Sequence, residues 1–280
     1  MVTVNSPTSV PEIALRDGRL MPELGFGVYK IPRSATAETV AVAIEAGYRH
    51  IDTAAFYDNE TEVGEAVRGC GIQRQDLFVT TKVWWTDNGY DSTLRAFDAS
   101  LRRLGLDYVD LYMIHWPAPR LDQYVPAWRA LQRLQKESRA LSIGVANFHV
   151  HHLERLMAET GTTPVVNQVE LHPWLPQRDL RRYHDTHGIV TQAWSPLARG
   201  RMLTEDTVQR LAHKHQVTPA QIVLRWQLRL GTVPIVKSTT PARIRTNLDV
   251  YSFDLDGADM AEMARLENGR RTGEDPDDRG

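Results

Sequence analysis

The chain has 280 residues, 42% of them hydrophobic, which is enough to bury one large core, so we expect a single domain over residues 1–280. Interspersed acids and bases give a formal net charge of −2, which argues against nucleic acid as a partner. The sequence has neither a signal-peptide pattern nor a membrane-span pattern, which predicts a cytoplasmic protein. The single cysteine excludes an internal disulfide and a thiolate metal cluster within one chain.

Short β-type runs alternate with amphipathic helical patterns along the chain. At the start, the segment IALRDGRLMPEL predicts a hairpin around Asp17-Gly18, which we expect to close one end of the fold. The eight predicted strands that follow are Leu24–Gly27, Arg49–Asp52, Phe78–Lys82, Asp110–His115, Leu141–Asn147, Val165–Glu170, Ile189–Trp194 and Val233–Ser238. The helical patterns between them include Thr36–Ala46, Ser92–Leu104, Val125–Gln135, His149–Glu159 and Pro219–Leu228.

Eight strand–helix units in about this length favour a closed (β/α)₈ TIM barrel over an open doubly wound sheet. The glycine pattern agrees, because Gly25-Phe-Gly27 is followed by Val-Tyr-Lys rather than by a third glycine and a helix. The chain therefore lacks the phosphate-binding turn of a Rossmann fold, and no Walker loop is found either. The hairpin is then expected to close the barrel bottom.

Four ionisable residues end or follow three consecutive predicted strands: Asp52, Tyr57, Lys82 and His115. Because the carboxyl ends of barrel strands share one mouth, we expect these side chains to meet there. A Lys82 ammonium would lower the pKa of the Tyr57 phenol, and Asp52 would balance the Lys82 charge in a dry pocket. His115 would orient a carbonyl oxygen while Tyr57 delivers a proton. The pattern predicts carbonyl reduction by hydride transfer.

Each of these residues also has an ordinary structural interpretation. Tyr57 would then be a half-buried tyrosine, Lys82 and Asp52 a structural ion pair, and His115 a satisfied histidine beneath Trp116. For any single residue this interpretation is favoured. The joint occurrence of compatible groups at three consecutive strand ends is what favours function.

Longer motifs, in a fixed order, resemble the aldo-keto reductase superfamily: GYRHIDTAAFYDNETEVGEAV, LFVTTKVW, SLRRLGLDYVDLYMIHWP, SIGVANF, VVNQVELHP and VPIVKSTTPARIRTNL. The resemblance runs from about Ile13 to Leu255, and it is greatest for prokaryotic 2,5-diketo-D-gluconate reductases. It implies a (β/α)₈ fold, NADPH as cofactor and reduction of aldehydes or ketones to alcohols. It also implies that the four residues above form a catalytic tetrad, with Tyr57 as the general acid.

The resemblance further implies a cofactor site, residue by residue. Asn147 and Gln168 match positions that bind the nicotinamide carboxamide, and Trp194 matches the aromatic residue on which the nicotinamide stacks. The remaining matches are Ser195, Leu197 and Gly200 at the pyrophosphate, Lys237, Ser238 and Arg243 at the adenosine 2′-phosphate, and Asn247 at the adenine. A lysine and an arginine suit a dianionic phosphate, which NADH lacks. From the residues alone, Lys237 and Arg243 would be solvated surface cations.

Two positions depart from the family pattern. Ala146 stands where relatives carry serine, so one hydrogen bond to the carboxamide is expected to be missing. Thr246 stands where relatives commonly carry glutamate near the adenine, which leaves the preference for NADPH over NADH less secure.

The substrate pocket is expected to be aromatic, because Tyr29, Trp84 and Trp116 lie just beyond strand ends. Short loops after the fourth and seventh strands predict an open pocket for small aldehydes, dicarbonyls and keto-sugars. The charged C-terminal segment GRRTGEDPDDRG predicts a flexible tail over residues 269–280, matched by one at about 1–10, although such segments fold over the pocket rim in the family.

Rival functions remain open at this stage. A cofactor-binding sensor or accessory subunit would bind NADPH with little turnover, and a (β/α)₈ isomerase or lyase would need a glycine-rich phosphate turn that is not found here. Histidines cluster at 149, 151 and 152 and at 213 and 215, but neither set has the spacing of a known zinc site, so no metal is expected. A small carbonyl compound is the expected partner, and a monomer needs no further assumption.

Overall fold

The computed structural model describes residues 10–280. Eight parallel strands close into a barrel in the order β10-β3-β4-β5-β6-β7-β8-β9, and a separate antiparallel pair, β1 and β2, precedes them. The strands are β1 Glu12–Ala14, β2 Leu20–Pro22, β3 Gly25–Gly27, β4 His50–Asp52, β5 Phe78–Val83, β6 Val109–Ile114, β7 Ala140–Ala146, β8 Val166–Glu170, β9 Val190–Trp194 and β10 Val233–Val236. The predicted (β/α)₈ TIM barrel is confirmed.

Helices lie between the strands and cover the barrel. They are α1 Arg33–Ala46, α2 Glu60–Gly69, α3 Tyr90–Leu104, α4 Tyr124–Lys136, α5 Val150–Thr160, α6 Arg178–His187, α7 Asp206–His215, α8 Pro219–Arg229, α9 Pro241–Leu248 and α10 Gly257–Ala264. None of these helices is long and apolar enough to cross a membrane. The predicted barrel strands agree with the observed bounds to within two residues at each end.

The hairpin of β1 and β2 closes the barrel bottom, as expected. Its apolar side chains Leu15 and Met21 belong to a buried cluster with Phe78, Val166 and other residues that begin the barrel strands. Polar contacts fix it further, since Ser142 Oγ donates a hydrogen bond to Asp17 Oδ2 at 2.7 Å. The predicted N-terminal flexible segment lies outside the described residues, apart from its last residue.

The two glycines of β3 serve barrel packing. A Cβ atom added at Gly25 or Gly27 would come within 2.4 or 2.7 Å of the Ile235 side chain in β10. Because these strands are neighbours in the barrel, the absence of side chains allows the close approach. The Gly-Phe-Gly motif is therefore required for the packing of β3 against β10. This structural role agrees with the sequence-based conclusion that the motif is not a phosphate-binding turn.

Candidate active site

Three neighbouring strands and one short turn bring the four ionisable residues together. Asp52 ends β4, Lys82 is the penultimate residue of β5, and His115 directly follows β6. Tyr57 lies on a 3₁₀ turn, Ala55–Tyr57, which ends where Asp58 adopts a left-handed conformation with φ 53°. Because β4, β5 and β6 are parallel neighbours, their carboxyl ends meet at the same rim.

A buried ion pair lies at the centre of this group. Lys82 Nζ donates to Asp52 Oδ1 at 2.7 Å and to the Thr53 carbonyl at 3.0 Å, and it lies 3.5 Å from Tyr57 Oη. The Lys82 side chain is 0% exposed, and that of Asp52 is 4% exposed. A buried ammonium stays charged only where acceptors compensate for its lost hydration. For Lys82, the Asp52 carboxylate and the Thr53 carbonyl together provide this compensation.

Burial raises the pKa of Tyr57 well above its ordinary value of 10, and the charge of Asp52 adds to the effect. This direction is opposite to the sequence-based expectation that Lys82 would lower it. The physical reason is that the Lys82 charge is already balanced by Asp52, while the phenol loses its hydration. Burial also lowers the pKa of Lys82, although Asp52 opposes this shift. Tyr57 is therefore a protonated phenol at neutral pH.

The imidazole of His115 is neutral at physiological pH. Burial lowers its pKa well below 6.5, and the nearby charges of Lys82 and Arg279 lower it further. Its ring packs edge-on against Tyr57, with 5.6 Å between centroids, and against Trp84, with 5.1 Å. A neutral imidazole beside a protonated phenol can offer two hydrogen-bond donors to one oxygen atom.

Two amide side chains lie beside the tetrad with fixed orientations. Asn147, at φ 64°, donates through Nδ2 to the His115 carbonyl at 2.9 Å and accepts from Trp194 Nε1 at 2.8 Å. Gln168 Nε2 donates to Asp52 Oδ2 at 2.8 Å and to Gln192 Oε1. Both hydrogens of the Gln168 amide are thus used within the protein, and no donor among residues 10–280 bonds to its oxygen.

One cavity of about 1150 Å³ connects nearly all of the residues singled out from the sequence. Among the predicted catalytic, cofactor-binding and substrate-binding residues, Lys82 alone does not line it, because its side chain is fully buried. The lining includes Asp52, Tyr57 and His115, the aromatic residues Tyr29, Trp84 and Trp116, and the expected cofactor positions Asn147, Gln168, Trp194, Ser195, Leu197, Gly200, Lys237, Ser238, Arg243 and Asn247. Ala146 is fully buried and does not line it, whereas Thr246 does.

Two basic side chains from the end of β10 and the start of α9 also line the cavity. Lys237 and Ser238 follow β10, and Arg243 lies in the first turn of α9. Within residues 10–280, neither Lys237 nor Arg243 has an acidic side chain within ion-pair distance, although both line the cavity. Unpaired cations at the start of a helix favour an anionic ligand.

A comparison with known proteins identifies the family. The model of the Aldo/keto reductase family matches residues 23–268. The chain belongs to the aldo/keto reductase family. An aldo-keto reductase of Mycolicibacterium smegmatis is 50% identical over 266 residues, which cover 95% of this chain and 97% of that protein. Methylglyoxal reductase DkgA of Escherichia coli K12 is 48% identical, with 95% and 96% covered.

A solved structure is also similar to this chain. A mutant of Gox0644 in complex with NADPH has a TM-score of 0.92 at 46% identity, and the match covers 96% of this chain and 98% of that one. The family resemblance inferred from the sequence motifs is thereby confirmed. This aldo/keto reductase is an oxidoreductase.

The C-terminal segment of this reductase lies across the mouth of its barrel. Thr272 donates to Glu170 Oε1 through its backbone nitrogen at 2.5 Å and its hydroxyl at 2.6 Å, and Gly273 donates to Glu170 Oε2 at 3.1 Å. Four residues of the segment line the cavity: Thr272, Gly273, Glu274 and Arg279. Sequence reasoning did not single out Glu170, although its position at the end of β8 is the same signal that marked the tetrad.

The histidine cluster at the start of α5 holds the same segment. His149 Nε2 lies 2.9 Å from Asp275, and His151 and His152 each lie 3.2 Å from Asp277. His152 Nδ1 accepts the backbone N–H of His149 at 3.1 Å, so a neutral His152 carries its proton on Nε2, facing Asp277. Burial lowers the pKa of His152 to about 4. A proton on Nε2 suits contact with a carboxylate.

Proposed function

We propose that this aldo/keto reductase uses NADPH to reduce aldehydes and ketones, small dicarbonyls and keto-sugars such as 2,5-diketo-gluconate among them, with Tyr57 as proton donor. The observation that carries the proposal is the Lys82–Asp52 pair set 3.5 Å from the hydroxyl of a protonated Tyr57 at the floor of a large cavity. That DkgA of Escherichia coli is named a methylglyoxal reductase supports the small dicarbonyls.

The residues of the cavity fit a dinucleotide. Its volume of about 1150 Å³ exceeds the ~300–1,000 Å³ usual for a small-molecule site, which leaves room for a cofactor and a substrate together. The Gln168 oxygen suits the NH₂ group of a nicotinamide carboxamide. Lys237 and Arg243, which lack acidic partners among the described residues, suit the 2′-phosphate. That the structure of Gox0644 was solved with NADPH supports the same cofactor here.

When bound, NADPH supplies the hydride that reduces the carbonyl carbon. Tyr57 donates its proton to the carbonyl oxygen, and the Lys82 ammonium stabilises the phenolate that remains. Asp52 holds that ammonium in place, and Gln168 braces the second carboxylate oxygen of Asp52. The raised pKa of Tyr57 keeps the proton on the phenol until the oxygen becomes basic.

His115 binds the carbonyl oxygen as a neutral donor. Because its pKa lies well below 6.5, the ring does not compete with Tyr57 as an acid. Its T-shaped contacts with Tyr57 and Trp84 fix the plane of the ring. Tyr29, Trp84 and Trp116 complete the walls, so flat or apolar carbonyl compounds are expected to bind. We also propose that the whole chain works as one domain and as a cytoplasmic monomer, since no step requires a second chain.

The pH profile of kcat/KM for reduction is expected to be flat between about pH 6 and pH 8. Protonation of His115 would remove activity only well below pH 6.5, because its pKa is lowered. Tyr57 remains protonated, since its pKa is raised above 10, and activity falls at alkaline pH when Lys82 loses its proton below its ordinary 10.5. A fall centred near pH 6.5 under saturating NADPH would contradict the neutral, buried state of His115.

The first test of the proposed function is NADPH oxidation with methylglyoxal and with phenylglyoxal. Turnover of either compound, with alcohol as product, would establish the reductase. Tight NADPH binding without turnover of these or other aldehydes would favour the cofactor-binding sensor instead. If NADPH does not bind at all, the cofactor assignment itself is wrong.

Ala146→Ser is expected to tighten NADPH binding. Ala146 is buried outside the cavity lining, but it pairs in register with Gln168, so we propose that a hydroxyl at this position reaches the carboxamide that Gln168 binds. One added hydrogen bond is worth about 0.5–1.5 kcal/mol, or roughly two- to tenfold in Kd. Fluorescence titration with NADPH measures this, and Ala146→Cys is the control because it adds similar volume with a much weaker donor. An unchanged or weaker Kd in the serine variant would count against this placement of the carboxamide.

A further inference from the structure

A buried carboxylate at the end of β8 takes no part in the proposed proton transfer. Glu170 is the last residue of β8, two positions after Gln168, and its side chain is fully buried. Burial by itself would raise the pKa of Glu170, but hydrogen bonds from His172 and Thr272 outweigh that effect and lower the pKa below its ordinary 4.5. Glu170 is therefore a carboxylate ion inside the protein, where such a charge persists only if donors compensate for its lost hydration.

Most of these donors belong to the C-terminal segment. Glu170 Oε1 accepts from the backbone nitrogen and the hydroxyl of Thr272, and Oε2 accepts from the backbone nitrogen of Gly273 at 3.1 Å. His172 Nε2 lies 2.9 Å from Oε1, so it carries a proton and donates as well. If the segment moved away, His172 would be the only donor left to this carboxylate within residues 10–280. Loss of that many bonds to a buried charge is costly, so the segment is held firmly.

The segment that Glu170 holds meets the indole of Trp194 at one edge. A Cβ atom added at Gly273 would come within 2.4 Å of Trp194 Cη2, but only within 3.3 Å of the adjacent ring atom Cζ3. An approach over the face of the ring would make these two distances more nearly equal. Gly273 therefore abuts the edge of the indole and does not cover its face, and the absence of a side chain is what allows this contact.

A second contact fixes the same ring from another side. Trp194 Nε1 donates to Asn147 Oδ1 at 2.8 Å, and Asn147 is itself bound to the His115 carbonyl. The bond about which a tryptophan ring turns has only broad preferences of its own, so contacts at two edges decide the plane of the ring. The family resemblance implies that the nicotinamide stacks on Trp194. The plane of this ring then sets the height and tilt of the nicotinamide, on which the rate of hydride transfer depends steeply.

We propose that Glu170 is a positioning residue for hydride transfer: it holds Gly273 against the edge of Trp194 and so fixes the plane on which the nicotinamide stacks. The inference rests on the proposed reductase function. Glu170 does not line the cavity, so it acts on the cofactor through Thr272, Gly273 and the indole, not by contact. Gly273 is the second positioning residue of this arrangement.

Single-turnover reduction of methylglyoxal by the enzyme–NADPH complex tests this role, because it separates hydride transfer from NADPH binding and product release. Glu170→Gln keeps the size of the side chain and removes its charge and one acceptor oxygen. We expect the rate constant of hydride transfer to fall about tenfold, since a small misplacement of the reacting carbon is costly. With NADPH deuterated at the transferred position, the isotope effect on steady-state kcat should rise, because hydride transfer becomes the slower step.

Asp259→Asn is the matched control. Asp259 is likewise a buried carboxylate that contacts a histidine and a backbone N–H, namely His215 Nε2 at 2.8 Å and Asp256 at 3.2 Å, but it lies outside the cavity. A variant that only weakens the fold lowers the amplitude of the single turnover, which counts folded molecules, and leaves the rate constant unaltered. We expect that result for Asp259→Asn.

Trp194→Phe shows whether Glu170 acts through the indole. Phenylalanine keeps an aromatic face but lacks both the Nε1–H and the ring edge that Gly273 contacts. In this background Glu170→Gln should lower the rate constant by less than about twofold, because positions that act through one ring are not additive. Gly273→Ala is an independent variant that keeps the carboxylate and pushes on the same edge. Gly273 has no positive φ, so alanine strains only its contacts with the ring and with Glu170, and the rate constant should fall as in Glu170→Gln.

The alternatives give distinct results. An equal fall on Glu170→Gln with and without Trp194→Phe would overturn the proposal, since Glu170 would then act by another route. An unchanged rate constant in either Glu170→Gln or Gly273→Ala, or an equal fall in Asp259→Asn, would also overturn it and leave the reductase standing. If the wild type transfers no hydride from NADPH to methylglyoxal or phenylglyoxal, the proposed function itself has failed, and the role of Glu170 fails with it.

Discussion

Tyr57→Phe is expected to lower kcat by about 10²- to 10⁴-fold, the range for loss of a positioned general acid. Only the hydroxyl is removed, so the ring keeps its packing against Tyr29, 5.0 Å away between centroids, and against His115. The NADPH Kd should change little, because no contact proposed for the cofactor involves this oxygen. Stopped-flow oxidation of bound NADPH with methylglyoxal measures the step directly.

The control for this variant is Tyr183→Phe. Tyr183 stacks on His187 at the far side of α6 and lies outside the cavity, so the loss of its hydroxyl should leave kcat unaltered. If Tyr57→Phe retains more than a tenth of wild-type kcat while its NADPH affinity is intact, a group other than Tyr57 delivers the proton. If Tyr57→Phe no longer binds NADPH, its low activity does not identify the general acid. Circular dichroism then shows whether the variant is folded.

Much of the barrel and of the tetrad was predictable from the sequence for one physical reason. A strand buried on both faces is apolar along its length, so a polar residue at its end is conspicuous, and parallel strands all end at the same rim. Asp52, Lys82 and His115 each mark such an end. Tyr57 was singled out with them because it follows the same strand as Asp52, and the 3₁₀ turn Ala55–Tyr57 places its hydroxyl 3.5 Å from Lys82 Nζ.

Two features of the site were not predicted from the sequence, because they depend on distances between side chains that hydrophobic periodicity does not encode. The predicted direction of the Tyr57 pKa shift was wrong. The shift depends on how completely Asp52 neutralises Lys82 and on how little water reaches the phenol. The bracing of Gln168 by Gln192 was missed, although Gln192 lies two residues before Trp194 and so on the same face of β9.

The C-terminal segment was the least predictable part of the site. Its composition of charges and small residues is typical of a mobile tail. It is ordered by side chains far away in the sequence, namely Glu170 at the end of β8 and the histidines that begin α5. The alternative noted from the family, a segment folded over the pocket rim, is what the structure displays.

Lys82→Met should both inactivate and destabilise the enzyme. The substitution leaves the Asp52 carboxylate buried beside an apolar chain, with Gln168 as its remaining side-chain donor. Removal of one partner from a buried ion pair costs about 3–5 kcal/mol, a large part of the ~5–15 kcal/mol by which domains are stable. Urea unfolding followed by fluorescence gives the loss in free energy of unfolding, and NADPH oxidation gives the loss in kcat.

The double variant Asp52→Asn/Lys82→Met separates these two effects. A neutral amide at position 52 no longer needs a cation, and it can still accept from Gln168, so most of the lost stability should return. The activity should not return, because the charge that stabilises the Tyr57 phenolate is still absent. Recovery of both stability and activity would mean that Lys82 acts only by preserving the fold. Failure to recover stability would mean that the cost lies in packing around the 0% exposed Lys82 chain and not in the unpaired charge of Asp52.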